Sequence, residues 1–136
     1  MHVVMIGGSD AGISAALRAR ELDPGADVTV VLEDAYPNFS ICGIPYYVSG
    51  EVAHWRNLAH RTTADLEAAG MWLRTDTTAR RIDVPGRKLL VATADGGEEV
   101  LGYDKLIIGT GAVPVRPPIR GLSGPDALGP AAGVHL

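Results

Sequence analysis

The stretch VVMIGGSDAGISAALRARE, residues 3–21, places a short apolar run, a glycine-rich turn and an alanine-rich segment in direct succession. Residues 3–6 are all apolar, as in a parallel strand that is buried on both faces. Apolar residues then recur with helical spacing from Gly12 to Leu22, where Asp23-Pro24-Gly25 ends the predicted helix. Because a second apolar run follows at residues 28–32, this part of the chain predicts a right-handed βαβ unit.

The turn between the first strand and the helix is an incomplete G-x-G-x-x-G fingerprint. Gly7 and Gly12 fit the first and third glycines, and Ser9 takes the place of the second. Backbone amides and the helix dipole favour an anion at such a turn. We therefore predict a dinucleotide pyrophosphate site formed by Gly7, Gly8, Ser9, Asp10, Ala11 and Gly12. A plain tight turn between strand and helix is the alternative.

An acidic pair ends the second predicted strand. A dinucleotide fingerprint has an acidic residue about 20 positions further on that binds a ribose hydroxyl. Glu33 and Asp34 are the candidates for this role. The alternative is a solvated pair of charges at a strand end, which is common in folded proteins.

The middle of the chain combines one short helix with several strands. Thr62 and Asp65 resemble a capping box that begins a helix through Ala69, and Gly70 suits its C-terminal end. A small antiparallel three-stranded meander is predicted from the strand-like runs near 71–74 and 77–84, at 88–93 and at 98–101.

The final predicted strand, residues 106–108, ends in a second glycine-rich turn. Residues 113–136 are rich in proline and glycine and show little periodicity, so we interpret them as a tail that follows the domain.

Composition narrows the functional classes. The 136 residues suit one domain, and the net charge of −4 without a basic patch disfavours nucleic acid. No apolar run approaches the length of a membrane span, so no membrane partner is predicted. A single cysteine, Cys42, favours a reducing cytoplasm.

Three segments together resemble the amino-terminal part of FAD-dependent pyridine nucleotide-disulfide oxidoreductases. They are VVMIGGSDAGISAALRARE, NFSICGIPYYVSG with its one cysteine, and YDKLIIGTGAVPVRPPIRG. The pattern is similar to the single-cysteine branch, which includes coenzyme A-disulfide reductases, persulfide reductases, NADH oxidases and NADH peroxidases. The resemblance implies an α/β Rossmann-like FAD/NAD(P)-binding fold with a parallel sheet and the meander. It also implies FAD as cofactor and NAD(P)H as electron donor.

The resemblance assigns roles to individual residues. It implies that residues 7–12 contact the FAD pyrophosphate, that Ala79 contacts the adenine through its backbone, and that Thr110 and Gly111 lie beside the flavin. Cys42 matches the redox cysteine, which cycles between a thiolate and a sulfenic acid or mixed disulfide. A helix beginning in CGIPYYV would favour the thiolate through its dipole. The alternative for an isolated cysteine is a buried core position.

Among the departures from the family pattern, two concern the cofactor and the redox cysteine. Without gaps, Leu32 aligns with the ribose-binding glutamate, so Glu33 or Asp34 would have to replace it. Asp10 stands where oxidases and peroxidases of the branch have a histidine beside the cysteine, which counts against those two activities.

The resemblance also predicts how the chain is organised. Residues 1–112 match a portion of the FAD-binding domain, and residues 113–136 lead towards an NADH-binding domain. Family members continue with that domain, a returning FAD segment and a dimerisation domain, so we expect a fragment, a truncated product or one part of a split enzyme. The parent would be a homodimer that reduces a small disulfide, persulfide or peroxide. The alternative is a non-catalytic nucleotide-binding or interaction module.

Overall fold

The computed structural model describes residues 1–113, 115, 118–121, 127–129 and 131. Most of the predicted tail, residues 113–136, therefore lies outside the described residues. The elements in chain order are β1 (His2–Ile6), α1 (Asp10–Leu22), β2 (Asp27–Val31), α2 (Ile44–Val48), α3 (Thr63–Ala68), β3 (Met71–Arg74), β4 (Thr77–Asp83), β5 (Lys88–Thr93), β6 (Glu98–Gly102) and β7 (Lys105–Ile108).

A parallel sheet with strand order β3-β2-β1-β7 forms the centre of the fold. Val4 of β1 lies opposite Thr29 of β2 on one side and opposite Leu106 of β7 on the other. Residues 3–6, 28–32 and 106–108, each predicted to form a strand, are neighbours in this sheet, which confirms the parallel sheet that the family resemblance implies. The remaining strands β4, β5 and β6 form an antiparallel sheet, which confirms the predicted meander.

Residues 71–74 are the exception to the meander prediction. They form β3, which pairs in parallel with β2 and places Met71 opposite Val28. The prediction that this run belongs with the antiparallel strands is wrong, because α3 returns the chain so that β3 extends the central sheet. Met71 is buried and joins Leu66 of α3 in the same apolar cluster.

Strands β1 and β2, at the centre of the parallel sheet, are buried on both faces. Val3 and Met5 point into a cluster with Ile13 of α1, whereas Val4 and Ile6 point into a second cluster with residues of the meander. Alternate residues of a strand face opposite sides of its sheet, so an all-apolar strand is required where both sides are covered. The helices α1 and α3 thus cover one face, and β5 covers the other.

Helix α3 begins with the predicted capping box. The Asp65 N–H donates to Thr62 Oγ1 at 3.2 Å, and the Thr62 N–H donates to Asp65 Oδ2 at 2.8 Å. The hydroxyl and N–H of Thr62 hold the pKa of the Asp65 carboxyl below its ordinary value, since both hydrogen bonds favour the charged form. Among the helices of the described residues, none has both the length and the apolar character needed to cross a bilayer.

Three glycines meet backbone to backbone where β1 and β7 end. Gly7 has a φ of +108°, and a Cβ built on it would overlap the carbonyl group of Gly109. A Cβ on Gly12 would overlap the carbonyl oxygen of Gly7. The first turn of α1 can therefore lie against both strand ends only if these positions lack side chains.

Replacing Gly12 by alanine tests this contact. We expect Gly12→Ala to lower the free energy of unfolding by roughly 1–3 kcal/mol through overpacking, although alanine has the better helix propensity by about 1 kcal/mol. Gly102→Ala is the matched control, because a Cβ at that position has no atom within 4 Å beyond residue 102 and its two chain neighbours. Urea denaturation of both variants measures the difference, and equal stabilities would contradict the contact.

Candidate functional site

A cleft of about 680 Å³ opens at the carboxyl ends of β1, β2 and β7. Its volume falls within the roughly 300–1,000 Å³ usual for ligand sites. β1 is the point where the strand order reverses, since β2 lies on one side and β7 on the other. Open α/β sheets bind ligands in the crevice at such a switch point.

Most of the predicted cofactor residues line this cleft. The structure brings together Gly7, Gly8, Ser9, Glu33, Asp34, Ala79, Thr110 and Gly111. Asp10, Ala11 and Gly12 do not line it and instead form the first turn of α1. Sequence positions more than 100 residues apart thus converge on one space.

The glycine-rich turn is held by hydrogen bonds to the neighbouring strands. The Gly7 N–H donates to the carbonyl of Val31 at 2.8 Å, and the Gly109 N–H donates to the carbonyl of Ile6 at 2.7 Å. Ser9 is the N-cap of α1, and its hydroxyl makes no capping hydrogen bond. Because the first N–H groups of a helix have no intrahelical acceptor, this end of α1 is suited to an anion.

The acidic side of the cleft is formed by Glu33 and Asp34. Both residues are exposed and line the cleft. Glu33 Oε1 accepts a hydrogen bond from Thr78 Oγ1 of β4 at 3.3 Å. Leu32 is 5% exposed and packs in the core, so the carboxylates available to a bound polyol come from the next two residues.

Ala79 lies at an irregularity of the meander. The pairing of β4 with β5 shifts register between Ala79 and Arg81. Bulges of this kind bend a strand and redirect its backbone, and they are frequent beside functional sites. Half-buried Ala79, at this bulge, lines the cleft together with Thr110 and Gly111 of the second glycine-rich turn.

Cys42 is exposed and lies in a 3-10 turn, Ile41–Gly43, that leads directly into α2. The helix predicted in CGIPYYV is present as Ile44–Val48, with Pro45 in its first turn. Cys42 precedes this short helix and does not form part of it. Its exposure shows that the interpretation as a buried core residue is wrong. Ile41 lines the cleft, so the thiol is carried by a residue next to the cleft wall.

Aromatic residues that sequence reasoning did not select form a further wall of the cleft. Tyr36, Phe39 and Trp55 line it and also border a second cavity of about 180 Å³. The Trp55 ring lies edge-on to Tyr36 with centroids 5.1 Å apart, and the Arg56 guanidinium lies 4.6 Å from its centroid. The sequence signal for this wall is the high density of aromatic residues around Cys42.

The part of the chain that the structure describes contains no cluster of side chains suited to a metal ion. No group of three or more His, Cys, Asp and Glu side chains is placed there to hold a metal ion. The chemical groups of the cleft are backbone amides, carboxylates, hydroxyls and aromatic rings.

Relatives of known activity share this part of the fold. The chain is 29% identical over 122 residues to an NADH oxidase of Methanocaldococcus jannaschii. It is 31% identical over 121 residues to an NAD(P)H coenzyme A polysulfide/persulfide reductase of Pyrococcus horikoshii. These alignments each cover 89% of this chain but only 27% and 26% of the two relatives. The chain thus spans about a quarter of the length of the curated relatives it matches.

A solved structure shows the same partial similarity in three dimensions. The NAD-dependent persulfide reductase from A. fulgidus superposes with a TM-score of 0.85 at 39% identity, over 92% of this chain and 24% of that one. The family model described as pyridine nucleotide-disulphide oxidoreductase matches residues 1–132. With the parallel sheet, the glycine contact and the cleft at the strand ends, this match shows that the chain belongs to the pyridine nucleotide-disulphide oxidoreductase family.

Proposed function

We propose that residues 1–112 bind FAD and form part of an NAD(P)H-dependent flavoprotein that reduces a disulfide or persulfide through Cys42. The observation that carries the proposal is the single cleft that joins the glycine-rich turn, the acidic pair and the second glycine-rich turn. A dinucleotide needs anion, ribose and ring contacts in one elongated space. This cleft offers all three, and the thiol-bearing turn borders it.

The chemical groups of the cleft suit the parts of the proposed ligand. The turn from Gly7 to Gly12 offers the N–H groups of a helix N-terminus, and its three glycines carry no side chain, which fits a pyrophosphate. Glu33 and Asp34 offer carboxylates to ribose hydroxyls, and Ala79 offers backbone at the bulge for the adenine. In this proposal Thr110 and Gly111 lie beside the flavin ring.

Bound FAD would supply two-electron transfer between the nicotinamide and the thiol. The role of Cys42 is to act as a thiolate nucleophile on the acceptor. With a persulfide RSSH, its attack on the sulfur that carries R forms a mixed disulfide and releases HS⁻. Two electrons then cleave the mixed disulfide, which returns the Cys42 thiolate and releases RS⁻. Its position in an exposed turn gives a small substrate access to the sulfur.

A persulfide is the acceptor that we favour over oxygen or a peroxide. The 39% identity to a persulfide reductase supports this choice. Asp10 also supports it, because its carboxylate stands in place of the branch histidine and accepts a hydrogen bond from Asn38 Nδ2 at 3.0 Å. An imidazole at this position could donate a proton to a reduced oxygen species, and aspartate does not supply that ring.

The remaining parts of the proposal concern the surroundings of the protein. We propose NAD(P)H as the electron donor, a homodimer as the assembly of the whole enzyme, and the cytoplasm as its compartment. A reducing compartment suits an exposed thiol that must return to its reduced form in every cycle. A non-catalytic nucleotide-binding module is the second candidate, and the Cys42 experiment below separates it from the enzyme.

Introducing a negative charge into the phosphate turn tests the placement of FAD. We expect Ser9→Glu to raise the Kd for FAD at least about tenfold, since two like charges near 4 Å repel by about 4 kcal/mol at the effective dielectric of a protein surface. Ser14→Glu is the matched control, because Ser14 is exposed on the same helix and does not line the cleft. Flavin fluorescence titration measures the Kd for FAD of both variants. Equal Kd values would mean that FAD binds elsewhere.

Replacing Cys42 by serine tests whether its thiol carries the reduction of the persulfide. The FAD-loaded chain is photoreduced without oxygen and mixed with glutathione persulfide while flavin absorbance and sulfide release are recorded. We expect rapid flavin reoxidation in the unmodified chain and a rate equal to that of free reduced FAD in Cys42→Ser. The double variant Cys42→Ser/Val48→Cys keeps one thiol on exposed Val48, so it controls for position. Equal rates in all three proteins would favour the non-catalytic module.

A further inference from the structure

Asn38 is a buried polar residue between the glycine-rich turn and the Cys42 segment. It is 2% exposed, and its φ of 53° lies in the left-handed region that few residue types tolerate. Asparagine is one of the residues that adopt this conformation most readily. Its backbone N–H and carbonyl and both polar atoms of its side chain take part in hydrogen bonds, so its burial is compensated.

The hydrogen bonds of Asn38 reach three separate segments. Its N–H donates to the carbonyl of Gly8 at 2.6 Å, and its carbonyl accepts from the His60 N–H at 3.0 Å. Its Nδ2 donates to Asp10 Oδ1 at 3.0 Å, and its Oδ1 accepts from Arg61 Nη1 at 3.3 Å. One residue therefore fastens the glycine-rich turn and the first turn of α1 to the segment around residue 60.

The chain from Asn38 to Cys42 is held against that same segment. Phe39 forms an antiparallel bridge with Ala59, and the Ser40 N–H donates to the carbonyl of Leu58 at 2.8 Å. A Cβ on Gly43 would come within 2.6 Å of the Leu58 side chain, so the turn that carries Cys42 is packed closely on Leu58. Residues 38–43 thus form a short, fixed connection from the glycine-rich turn to the thiol.

We propose that Asn38 is a positioning residue that sets the phosphate-binding turn and Cys42 in a fixed relation to each other. This role rests on the proposed function, in which the turn holds FAD and Cys42 reacts. Through Asn38, the geometry of cofactor binding and the presentation of the thiol depend on the same side-chain amide. The role requires a donor towards Asp10, an acceptor towards Arg61 and a left-handed backbone, which asparagine combines.

The contact between Asn38 and Asp10 allows a reciprocal exchange. Asn38→Asp turns a donor into an acceptor and sets two carboxylates against each other. Asp10→Asn keeps a hydrogen bond, because the amide oxygen at position 10 accepts from Asn38 as before. The double variant Asp10→Asn/Asn38→Asp restores one donor and one acceptor and has the net charge of the original chain. Asn38→Gly is a further variant, since glycine keeps the backbone conformation and removes both side-chain bonds.

The first measurement is amide hydrogen exchange of the whole chain without cofactor. We expect the Ser40 and Gly43 amides, and that of Gly7, to exchange at least about fivefold faster in Asn38→Asp and in Asn38→Gly. The double variant should return to within about twofold of the original rates, in keeping with the limits of additivity. The Thr93 amide, which bonds to Gly97 in the β5–β6 hairpin, reports any general loss of stability.

The second measurement follows FAD affinity and the rate of Cys42 alkylation by iodoacetamide in the same proteins. We expect both to change in Asn38→Asp and in Asn38→Gly, which a purely local packing role would not require. Only the alkylation rate should recover in the double variant, because Asp10 itself belongs to the predicted phosphate site. Unchanged Ser40 and Gly43 exchange in both single Asn38 variants would overturn the proposal. Exchange of these two amides in the double variant as fast as in Asn38→Asp would also overturn it. Failure of the original chain to bind FAD would overturn the proposed function itself and is recognised separately, because the exchange data involve no cofactor.

Discussion

The close approach of backbone at Gly7, Gly12 and Gly109 is the constraint on which the rest of the structure depends. It lets the first turn of α1 lie directly against the ends of β1 and β7, with the N-cap residue Ser9 in the lining of the cleft. The central strands are covered on both faces, so polar chemistry is displaced to their ends. The cleft is a consequence of these two facts together, because the site needs both a sheet whose faces are covered and strand ends that are left open.

Much of this arrangement was predictable because its signals are local in sequence. An apolar run, a glycine-rich turn and a helical period stand side by side in residues 3–22, so strand, turn and helix follow from neighbouring residues. The capping box at Thr62 and Asp65 is equally local, since both partners lie within one turn. The convergence of Gly7 with Thr110 required knowledge of the family, because no local rule joins positions so far apart.

The features that sequence reasoning missed depend on distant partners. Residues 71–74 are too few to show whether they pair in parallel or antiparallel, and only the return of α3 brings them beside β2. Asn38 carries no pattern of its own, because its partners Asp10 and Arg61 lie 28 and 23 positions away. Likewise, the bulge at Ala79 arises from the registration of β4 with β5, which the alternation of residues in β4 alone does not specify.

The two tryptophans lie in different environments, so the intrinsic fluorescence of the protein reports on the cleft. Trp55 stands in the cleft wall with its ring 5.9 Å from that of His54 and 5.1 Å from that of Tyr36. Trp72 is 69% exposed on the outer strand β3 and is absent from the lining of the cleft. Emission from the two indoles therefore divides into a component that responds to an occupant of the cleft and a solvent-exposed component that serves as an internal reference.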